Sequence, residues 1–367
     1  MPPFPYYDAA ALDALDKDAA AMLGVFTKAG YARAEPSVLQ PAEIFLDRSG
    51  EEIRRRTFTL TDLSGREMCL RPDLTIPICF EAAQRGGPFP ARICYHGPVF
   101  RHQPGKPGRP TQFVQTGAEL LGLGDAAAGE KEILSLTFEA LKAAGLKNSE
   151  LLFGDLSLFG ALVDGLALPK HWRWRLKRNF WRAGYVEALL EKLAQGAPPA
   201  DVAMLDGKDD APLAGRTREE ILRRARDKAA EAASLKLDPA IAGAITKLLR
   251  VSGPAKEAMA EINELLKTAG IKLDAQMAGM ESRLAAMAAL GVDPARIRFT
   301  AHFGRNMEYY TGFVFEVWNR DAEGPVQVAG GGRYDTLMES LGAKAPVSAI
   351  GCAIRTERVL AAKRAAP

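Results

Sequence analysis

The sequence predicts an α+β fold, in which an antiparallel sheet is flanked by helices and a helical domain is inserted. Residues 95–122 and 297–318 carry strand signals, whereas residues 169–290 are dominated by Ala, Leu, Lys and Glu and read as helices. The hydrophobic and charged fractions, 47% and 25%, are ordinary for a globular protein. We therefore predict a core formed by residues 1–168 and 291–367, with residues 169–290 as a helical insertion domain.

The first elements are a helix and a hairpin. Residues 9–29 read as one helix, with Asp8 as its N-cap and Gly30 as its stop. Residues 57–75 read as a β-hairpin with a Ser-Gly turn, which ends in the sequence RPDLT. A further helix is expected to start at Thr75.

The next segment, 95–122, reads as two strands joined by a loop rich in Pro, Gly and basic residues. On the second strand Gln115, Gly117 and Glu119 alternate, so they point to the same side of the sheet. A strand that lines only a hydrophobic core would not place an amide and a carboxylate on one face with a glycine between them. We interpret this face as the floor of a polar ligand pocket, in which the glycine leaves room for a ligand.

The remaining core elements follow in order. A helix is expected over about 127–144, and then a strand and a helix within 151–166. After the insertion, strand signals return over 297–318. We expect the triple glycine at 330–332 to form the last sharp turn, followed by a helix that starts near Asp335.

Bulk properties narrow the function classes. The net charge of +3 is weak for a protein that must hold a long polyanion. The densest basic run, 171–184, reads as an amphipathic helix packed on its aromatic side, with a nucleic-acid patch or a partner-protein surface as open alternatives. We expect no membrane span, no signal peptide and a cytoplasmic location. The four cysteines lack paired spacing, so we expect buried thiols and neither a metal nor a cofactor.

Five motifs in one order resemble the class II aminoacyl-tRNA synthetases in their histidyl form. They are the second class II motif at 100–122, a histidyl RPE-like turn RPDLT at 71–75, two histidine-specific motifs, GRNMEYYTGFVFE at 304–316 and AGGGRYDTLMESLG at 329–342, and the third class II motif, AIGCAIRTERVL at 349–360. The stretch around Pro36 is similar to the first class II motif, which builds the dimer interface in the family. The resemblance implies the class II fold and a homodimer.

A pocket for free histidine needs an acidic group for the ammonium, a cation for the carboxylate, and a polar edge with aromatic walls for the imidazole. The resemblance places the histidine-binding positions at Asp73, Thr75, Gln115, Glu119, Arg305, Tyr309 and Tyr310. Each residue alone has a structural alternative, since Asp73 could cap a helix and the two tyrosines could fill a core. Asp73 also stands where the family carries Glu. The set favours a ligand site because its members occur together in the family's order.

The nucleotide half of the site departs from the family pattern. The family's Phe-Arg-x-Glu, whose Glu meets the adenine edge, is Phe-Arg-His-Gln at 100–103, and Arg355 stands where the third motif carries a small Gly. A guanidinium there should fill or repel the nucleotide space, which argues against adenylation. Arg101, Arg109 and Arg358 remain as candidates for residual anion or nucleotide binding, and no catalytic residue is predicted.

The chain shows no anticodon-binding domain after the third motif, so we expect no tRNA recognition. A synthetase-like core of this kind resembles the regulatory subunits of ATP phosphoribosyltransferase. The resemblance implies a non-catalytic, allosteric protein that activates the short catalytic subunit of that glycosyltransferase in the first step of histidine biosynthesis. It also implies feedback inhibition through bound L-histidine, and a homodimer within a hetero-octamer. Two alternatives stay open: a truncated synthetase or paralogue that activates histidine with ATP, and a scaffold with a dead pocket.

Overall fold

A nine-stranded sheet lies at the centre of the part of the protein that the structure describes. The computed structural model describes residues 6–46, 54–103, 109–180, 182–195, 223, 237–303, 309–320 and 324–365. The strands are β1 (Ala32–Arg33), β2 (Leu39–Pro41), β3 (Phe58–Thr61), β4 (Glu67–Leu70), β5 (Ala91–Phe100), β6 (Gln112–Leu121), β7 (Ser149–Asp155), β8 (Ser252–Pro254), β9 (Ile297–Thr300), β10 (Phe313–Asn319), β11 (Val326–Arg333) and β12 (Ala349–Arg355).

The order of strands in the main sheet is β1-β5-β6-β12-β11-β10-β7-β9-β8, and β2, β4 and β3 form a separate small sheet. Neighbours in the main sheet are antiparallel, except for the β1–β5 and β7–β9 pairs, which are parallel. The predicted α+β class with an antiparallel sheet flanked by helices is therefore confirmed.

The predicted core helices begin and end close to where the sequence signals place them, but the run at 171–184 is not a single helix, since one helix ends at Arg178 and the next begins at Ala183. Asp8 caps the first helix by accepting a hydrogen bond from the Ala11 amide at 2.8 Å, and the chain leaves that helix through Gly30 at φ +87°. The helices are α1 (Ala9–Lys28), α2 (Glu43–Leu46), α3 (Thr75–Arg85), α4 (Ala126–Ala143), α5 (Leu156–Asp164), α6 (Lys170–Arg178), α7 (Ala183–Gln195), α8 (Pro239–Arg250), α9 (Ala255–Thr268), α10 (Asp274–Ala289), α11 (Asp335–Ser340) and α12 (Thr356–Ala365).

The triple glycine is one point at which the sequence prediction was wrong. Gly330, Gly331 and Gly332 do not form a turn, because all three lie inside β11 and pair with β10 and β12. A side chain at Gly331 would place its Cβ 2.8 Å from the Phe315 ring, so the close packing of these strands requires glycine there. The turn and the helix entry come afterwards, at Tyr334 and the start of α11.

The helices between α6 and α10 pack on the same hydrophobic core as the main sheet. Leu176, Ile245 and Met280, from three of these helices, share one buried cluster with Phe153 of β7 and Phe299 of β9. The segment also supplies the edge strand β8, which pairs with β9. The division of the chain into a core and an insertion domain at 169 and 290 stays a prediction.

A buried ion-pair network joins this helical segment to the sheet. Arg283 of α10 donates to Glu130 of α4 at 2.6 Å and pairs with Asp155 at 2.5 Å. Arg333, at the end of β11, donates to the same Glu130 at 3.0 Å and also binds Asp335. Because a buried carboxylate is stable only when it is paired, these contacts fix α10 and α4 against the end of β11.

All four cysteines are buried free thiols, as the sequence predicts. Burial raises the pKa of Cys69 and Cys352 to about 12, so neither is reactive as a thiolate. Among the residues with described structure, the helices are too short or too polar to span a bilayer.

Candidate functional site

The side chain of Glu119 lies at the centre of a cleft on one face of the main sheet. Glu119 sits in β6 between its register partners, Ile93 of β5 and Gly351 of β12, and is 1% exposed. Its Oε1 accepts hydrogen bonds from the Thr75 hydroxyl at 2.7 Å and the Tyr95 hydroxyl at 3.1 Å. Its Oε2 accepts a short hydrogen bond from the Tyr334 hydroxyl. Three hydroxyl donors from three elements therefore hold one buried carboxylate.

Two glycines make room for this arrangement rather than for a ligand. A Cβ on Gly117 would lie 2.6 Å from the Tyr95 hydroxyl oxygen, because Tyr95 is its register partner on β5 and leans across it. A Cβ on Gly351 would overlap the Glu119 carboxylate itself. Our interpretation of Gly117 as open space above the pocket floor was therefore wrong, since the Tyr95 ring fills that space.

Asp73 lies beside Glu119 at the start of α3 and is 2% exposed. Its Oδ1 accepts a hydrogen bond from the Ile76 amide at 3.0 Å, so Asp73 does cap the first turn of α3. Its second oxygen, Oδ2, is buried and has no hydrogen-bond partner among the described residues, and the same is true of Oε1 of Gln115. Both residues line the same cleft. The cleft thus presents two buried acceptors that call for a donor.

Three tyrosine rings form an aromatic wall of the cleft, and one of them, Tyr334, reaches Glu119 with its hydroxyl. Tyr309 and Tyr310 lie with ring centroids 4.9 Å apart, and Tyr334 makes an edge contact with Tyr309 at 5.6 Å. All three line the cleft, and Tyr310 is the more exposed of the adjacent pair. The structure brings Tyr309 and Tyr310 into the same cleft as Gln115 and Glu119, and their role in histidine binding stays a prediction. The cluster is apolar in its body and polar at its hydroxyl tips.

Burial raises the pKa of both carboxyl groups at the acidic end of the cleft. Burial raises the pKa of Glu119 to about 7, partly offset by the hydroxyl donors, while the nearby Asp73 charge raises it further. Burial also raises the pKa of Asp73, and the Arg101 guanidinium opposes that shift. Two carboxyl groups with raised pKa values in one enclosed space are a site at which a positive ligand is stabilised.

The other end of the cleft is occupied by Arg355. This residue is the register partner of Gln115, and its guanidinium carbon lies 3.6 Å from the centroid of the Phe113 ring. Gln103 is held elsewhere, since its amide donates to the Pro110 carbonyl at 2.6 Å. The Arg355 guanidinium therefore covers the ring on the cleft side of β6, where the sequence argument expects it to crowd a nucleotide.

The predicted anion-binding arginines are brought near one another. Arg101 lines the cleft and donates from Nε to the Pro72 carbonyl at 2.6 Å. Arg358 donates to the Gln327 carbonyl at 2.7 Å, and burial together with the nearby Arg109 and Arg101 charges lowers its pKa. Arg109 is exposed. Arg305, the predicted partner of a ligand carboxylate, lies outside the described residues.

The cleft holds about 530 Å³ of space between atoms, a volume that includes its opening to solvent. Arg355 and Tyr310, both partly exposed, are among its lining side chains.

Several side chains that build the cleft were not among the predicted site residues. Tyr95 and Tyr334 hold Glu119, and Gln327 and Cys352 line the walls. The position of Tyr95 opposite Gly117 in the pairing of β5 with β6 is the one signal that could have identified Tyr95. The others come together only through the pairing of β6, β12 and β11, which are far apart in sequence.

Known proteins similar in sequence to this chain agree with the predicted family. A family model described as histidyl-tRNA synthetase matches residues 9–207 and 202–359. The ATP phosphoribosyltransferase regulatory subunit of Allorhizobium ampelinum is 36% identical over 364 residues, which cover 93% of this chain and 96% of the relative. That of Rhizobium meliloti is 33% identical over 373 residues, covering 94% of this chain and 97% of the relative.

Solved structures have folds similar to that of this chain. An ATP phosphoribosyltransferase regulatory subunit/histidyl-tRNA synthetase from Bacillus halodurans superposes with a TM-score of 0.71 at 24% identity, covering 99% of this chain and 83% of that chain. A histidine–tRNA ligase subunit from Alicyclobacillus acidocaldarius gives a TM-score of 0.63 at 23% identity, covering 100% and 97%. At these identities the structures bear on the fold alone.

Proposed function

This chain belongs to the family of ATP phosphoribosyltransferase regulatory subunits, which are built on the histidyl-tRNA synthetase fold, and from that premise we propose that it senses free L-histidine. As a regulatory subunit it is not itself catalytic. Its partner is the catalytic subunit of the phosphoribosyltransferase, a short form that it activates. Bound histidine inhibits the complex, so that the first step of histidine biosynthesis responds to its end product.

The observation that carries this proposal is the pair of unpartnered buried acceptors beside a buried carboxyl. Asp73 Oδ2 and Gln115 Oε1 line one cleft with Glu119 and have no hydrogen-bond donor among the described residues. An α-ammonium group supplies three donors and a positive charge, which satisfies such acceptors and stabilises the ionised carboxylates at once. The three tyrosines supply the aromatic wall for the imidazole.

Crowding of the nucleotide end of the cleft by Arg355 argues against adenylation of histidine by this chain. Arg355 covers the Phe113 ring, and Gln103 is tied to the loop by Pro110. An adenine would have to displace this guanidinium and would find no carboxylate edge from the 100–103 segment. The Arg101, Arg109 and Arg358 cluster retains positive charge, and we assign it at most a residual anion or nucleotide contact.

Inhibition requires that histidine bind one arrangement of the complex better than another. The Tyr334 hydroxyl already contacts Glu119, which supports a rearrangement when a ligand ammonium approaches that carboxyl. Tyr334 connects the cleft to the buried network, since its neighbour Arg333 binds Glu130. We propose that entry of histidine displaces Tyr334 from Glu119 and that β11 transmits this shift. The working assembly is a cytoplasmic homodimer within a hetero-octamer, and it needs no tRNA.

The test is reconstitution with the short catalytic subunit of the same organism. Formation of phosphoribosyl-ATP is measured with the catalytic subunit alone, after addition of this chain, and after further addition of L-histidine. We expect the chain to raise the rate and histidine to lower it again. An unchanged rate on addition of the chain contradicts activation. Histidine-dependent exchange of pyrophosphate into ATP by the isolated chain contradicts the non-catalytic assignment.

A further inference from the structure

An exposed aromatic and basic face lies on α6 and the start of α7, away from the cleft. Its most exposed aromatic side chain is Trp174, at 59%, and Tyr185 is 38% exposed. The opposite side of α6 is buried, with Leu176 fully covered and Phe180 just beyond the helix end in the core. The predicted packing of this helix therefore agrees with the burial of Leu176 and Phe180, whereas Trp174 is exposed to solvent.

Two arginines are held in fixed positions on this face by the aromatic rings. The Arg178 guanidinium carbon lies 4.9 Å from the Trp174 ring centroid. The Arg175 guanidinium carbon lies 5.5 Å from the centroids of both Trp172 and Tyr185, and its Nε donates to the Tyr185 hydroxyl at 2.7 Å. The four residues Trp174, Arg175, Arg178 and Tyr185 are called the aromatic–arginine face below.

The face carries positive charge that the described part of the chain leaves uncompensated. Helix α6 contains five Lys and Arg residues in its sequence KHWRWRLKR and no acidic residue. Asp164 neutralises part of this charge by pairing with Lys177 at 2.5 Å and approaching Arg173 at 3.9 Å. Among the described residues, no carboxylate pairs with Arg175 or Arg178. Within the described part of the chain both guanidinium groups are exposed and lie against aromatic rings, so they can bind a carboxylate from a partner.

We propose that the aromatic–arginine face docks onto an acidic surface of the catalytic subunit, an inference that rests on the proposed regulatory function. Trp, Tyr and Arg are the residue types that contribute most at protein interfaces, and a carboxylate binds an Arg fork through two parallel hydrogen bonds. Since the rings already order both arginines, binding costs less side-chain entropy than it would for free side chains. The partner supplies Asp or Glu side chains around a small apolar contact for Trp174.

A protein partner fits this face better than a nucleic acid does. A single-stranded nucleic acid stacks its bases on open aromatic faces and follows a long basic groove. Here the Trp174 ring is covered on one side by Arg178, and the Asp164 pairs shorten the basic stretch. The net charge of the whole chain is only +3. The face is therefore a compact cationic patch rather than a track for a polyanion.

The experiment measures binding of the purified catalytic subunit to the full-length chain by calorimetry, with wild type, Trp174→Ala and Arg178→Glu. Two control variants, Leu63→Ala and Lys256→Glu, make the matching apolar and charge changes at other exposed positions. We expect Trp174→Ala to raise Kd at least 10-fold and Arg178→Glu to raise it further. Both controls should stay within twofold of wild type, and raising the salt concentration should weaken wild type more than Arg178→Glu.

Titration of each variant with L-histidine separates this inference from the proposed function. Variants that bind histidine like wild type but bind the catalytic subunit weakly support the face as the docking surface. If both variants bind the catalytic subunit like wild type, the inference is wrong while the proposed function stands. A wild-type chain that fails to bind the catalytic subunit at all contradicts both. Loss of oligonucleotide binding in these variants, with binding of the catalytic subunit unchanged, assigns the face to nucleic acid instead.

Discussion

Replacing Glu119 with Gln tests the acidic end of the cleft without changing its shape. Gln keeps one oxygen to accept the Thr75 and Tyr95 hydroxyls, and its amide can donate to the Tyr334 hydroxyl oxygen. The substitution removes only the ability to ionise. At high pH the variant should therefore be more stable than wild type but bind histidine more weakly.

The size of the expected change in stability follows from the burial of the Glu119 carboxyl. A pKa raised from 4.5 to about 7 corresponds to roughly 3 kcal/mol of preference for the neutral form in the folded protein. The stability that this preference contributes is fully present below pH 4.5 and is lost as the pH rises through 7, where the buried group ionises. Since Gln is always neutral, the variant should gain about 1–3 kcal/mol over wild type at pH 8 and little at pH 4.

Binding should change in the other direction. Above pH 7 the ionised Glu119 accepts from the ligand ammonium, and a hydrogen bond to a charged group is worth about 1.5–3 kcal/mol. Its loss should raise the Kd for L-histidine roughly 10- to 150-fold at pH 8. Calorimetric titration measures the Kd, and urea unfolding at pH 4 and pH 8 measures the stability. Glu139→Gln, on the exposed side of α4, is the control.

Binding of histidine by folded Glu119→Gln within twofold of wild type at pH 8 would contradict this prediction. Lower stability of the variant than of wild type at pH 8 would also contradict it, since other contacts would then favour the ionised carboxylate. Weaker binding with higher stability at pH 8 is the only combination that the buried-carboxyl account predicts.

Three further outcomes are expected. Histidine affinity should rise between pH 6 and pH 8 as Glu119 ionises, and this rise should be shallower in Glu119→Gln; equal slopes in calorimetric titrations would exclude Glu119 as the titrating group. Gly117→Ala should lower stability by about 1–3 kcal/mol in urea unfolding, because a Cβ there would overlap the Cys352 carbonyl oxygen and meet the Tyr95 hydroxyl oxygen at 2.6 Å. Arg283→Met should cost about 3 kcal/mol by leaving buried carboxylates underpaired, whereas Arg250→Met, which breaks an exposed pair, should barely move the urea midpoint.

Local patterns predicted the elements that build the cleft. The two-residue period of a strand placed Gln115 and Glu119 on one face, and the structure has both in the cleft. The RPDLT turn before α3 brought Asp73 and Thr75 to the same place. These predictions hold because the side chains that matter lie within a few residues of a turn or alternate along one strand, where local geometry sets their direction.

Features that depend on distant pairing could not be derived. The glycines at 330–332 look like a turn in sequence because glycine favours turns, yet a Cβ at Gly331 would overlap the Gly351 carbonyl oxygen of β12 and meet the Phe315 ring of β10. Likewise, Gly351 leaves space for Glu119 only because β12 pairs with β6 in that register. The space beside Gly117 seemed open because the register that brings Tyr95 across it is not visible in the strand alone.

The most direct test of whether the cleft binds L-histidine through its ammonium group is competition by analogues that lack either the carboxylate or the ammonium. Equilibrium dialysis with labelled L-histidine should give one saturable site per protomer, and histidinol, which keeps the ammonium and lacks the carboxylate, should compete. Imidazolepropionate, which keeps the carboxylate and lacks the ammonium, should not compete, because it offers no donor to Asp73 and Gln115. Competition by imidazolepropionate with none by histidinol, or no retention of histidine at all, would contradict the assignment of this cleft.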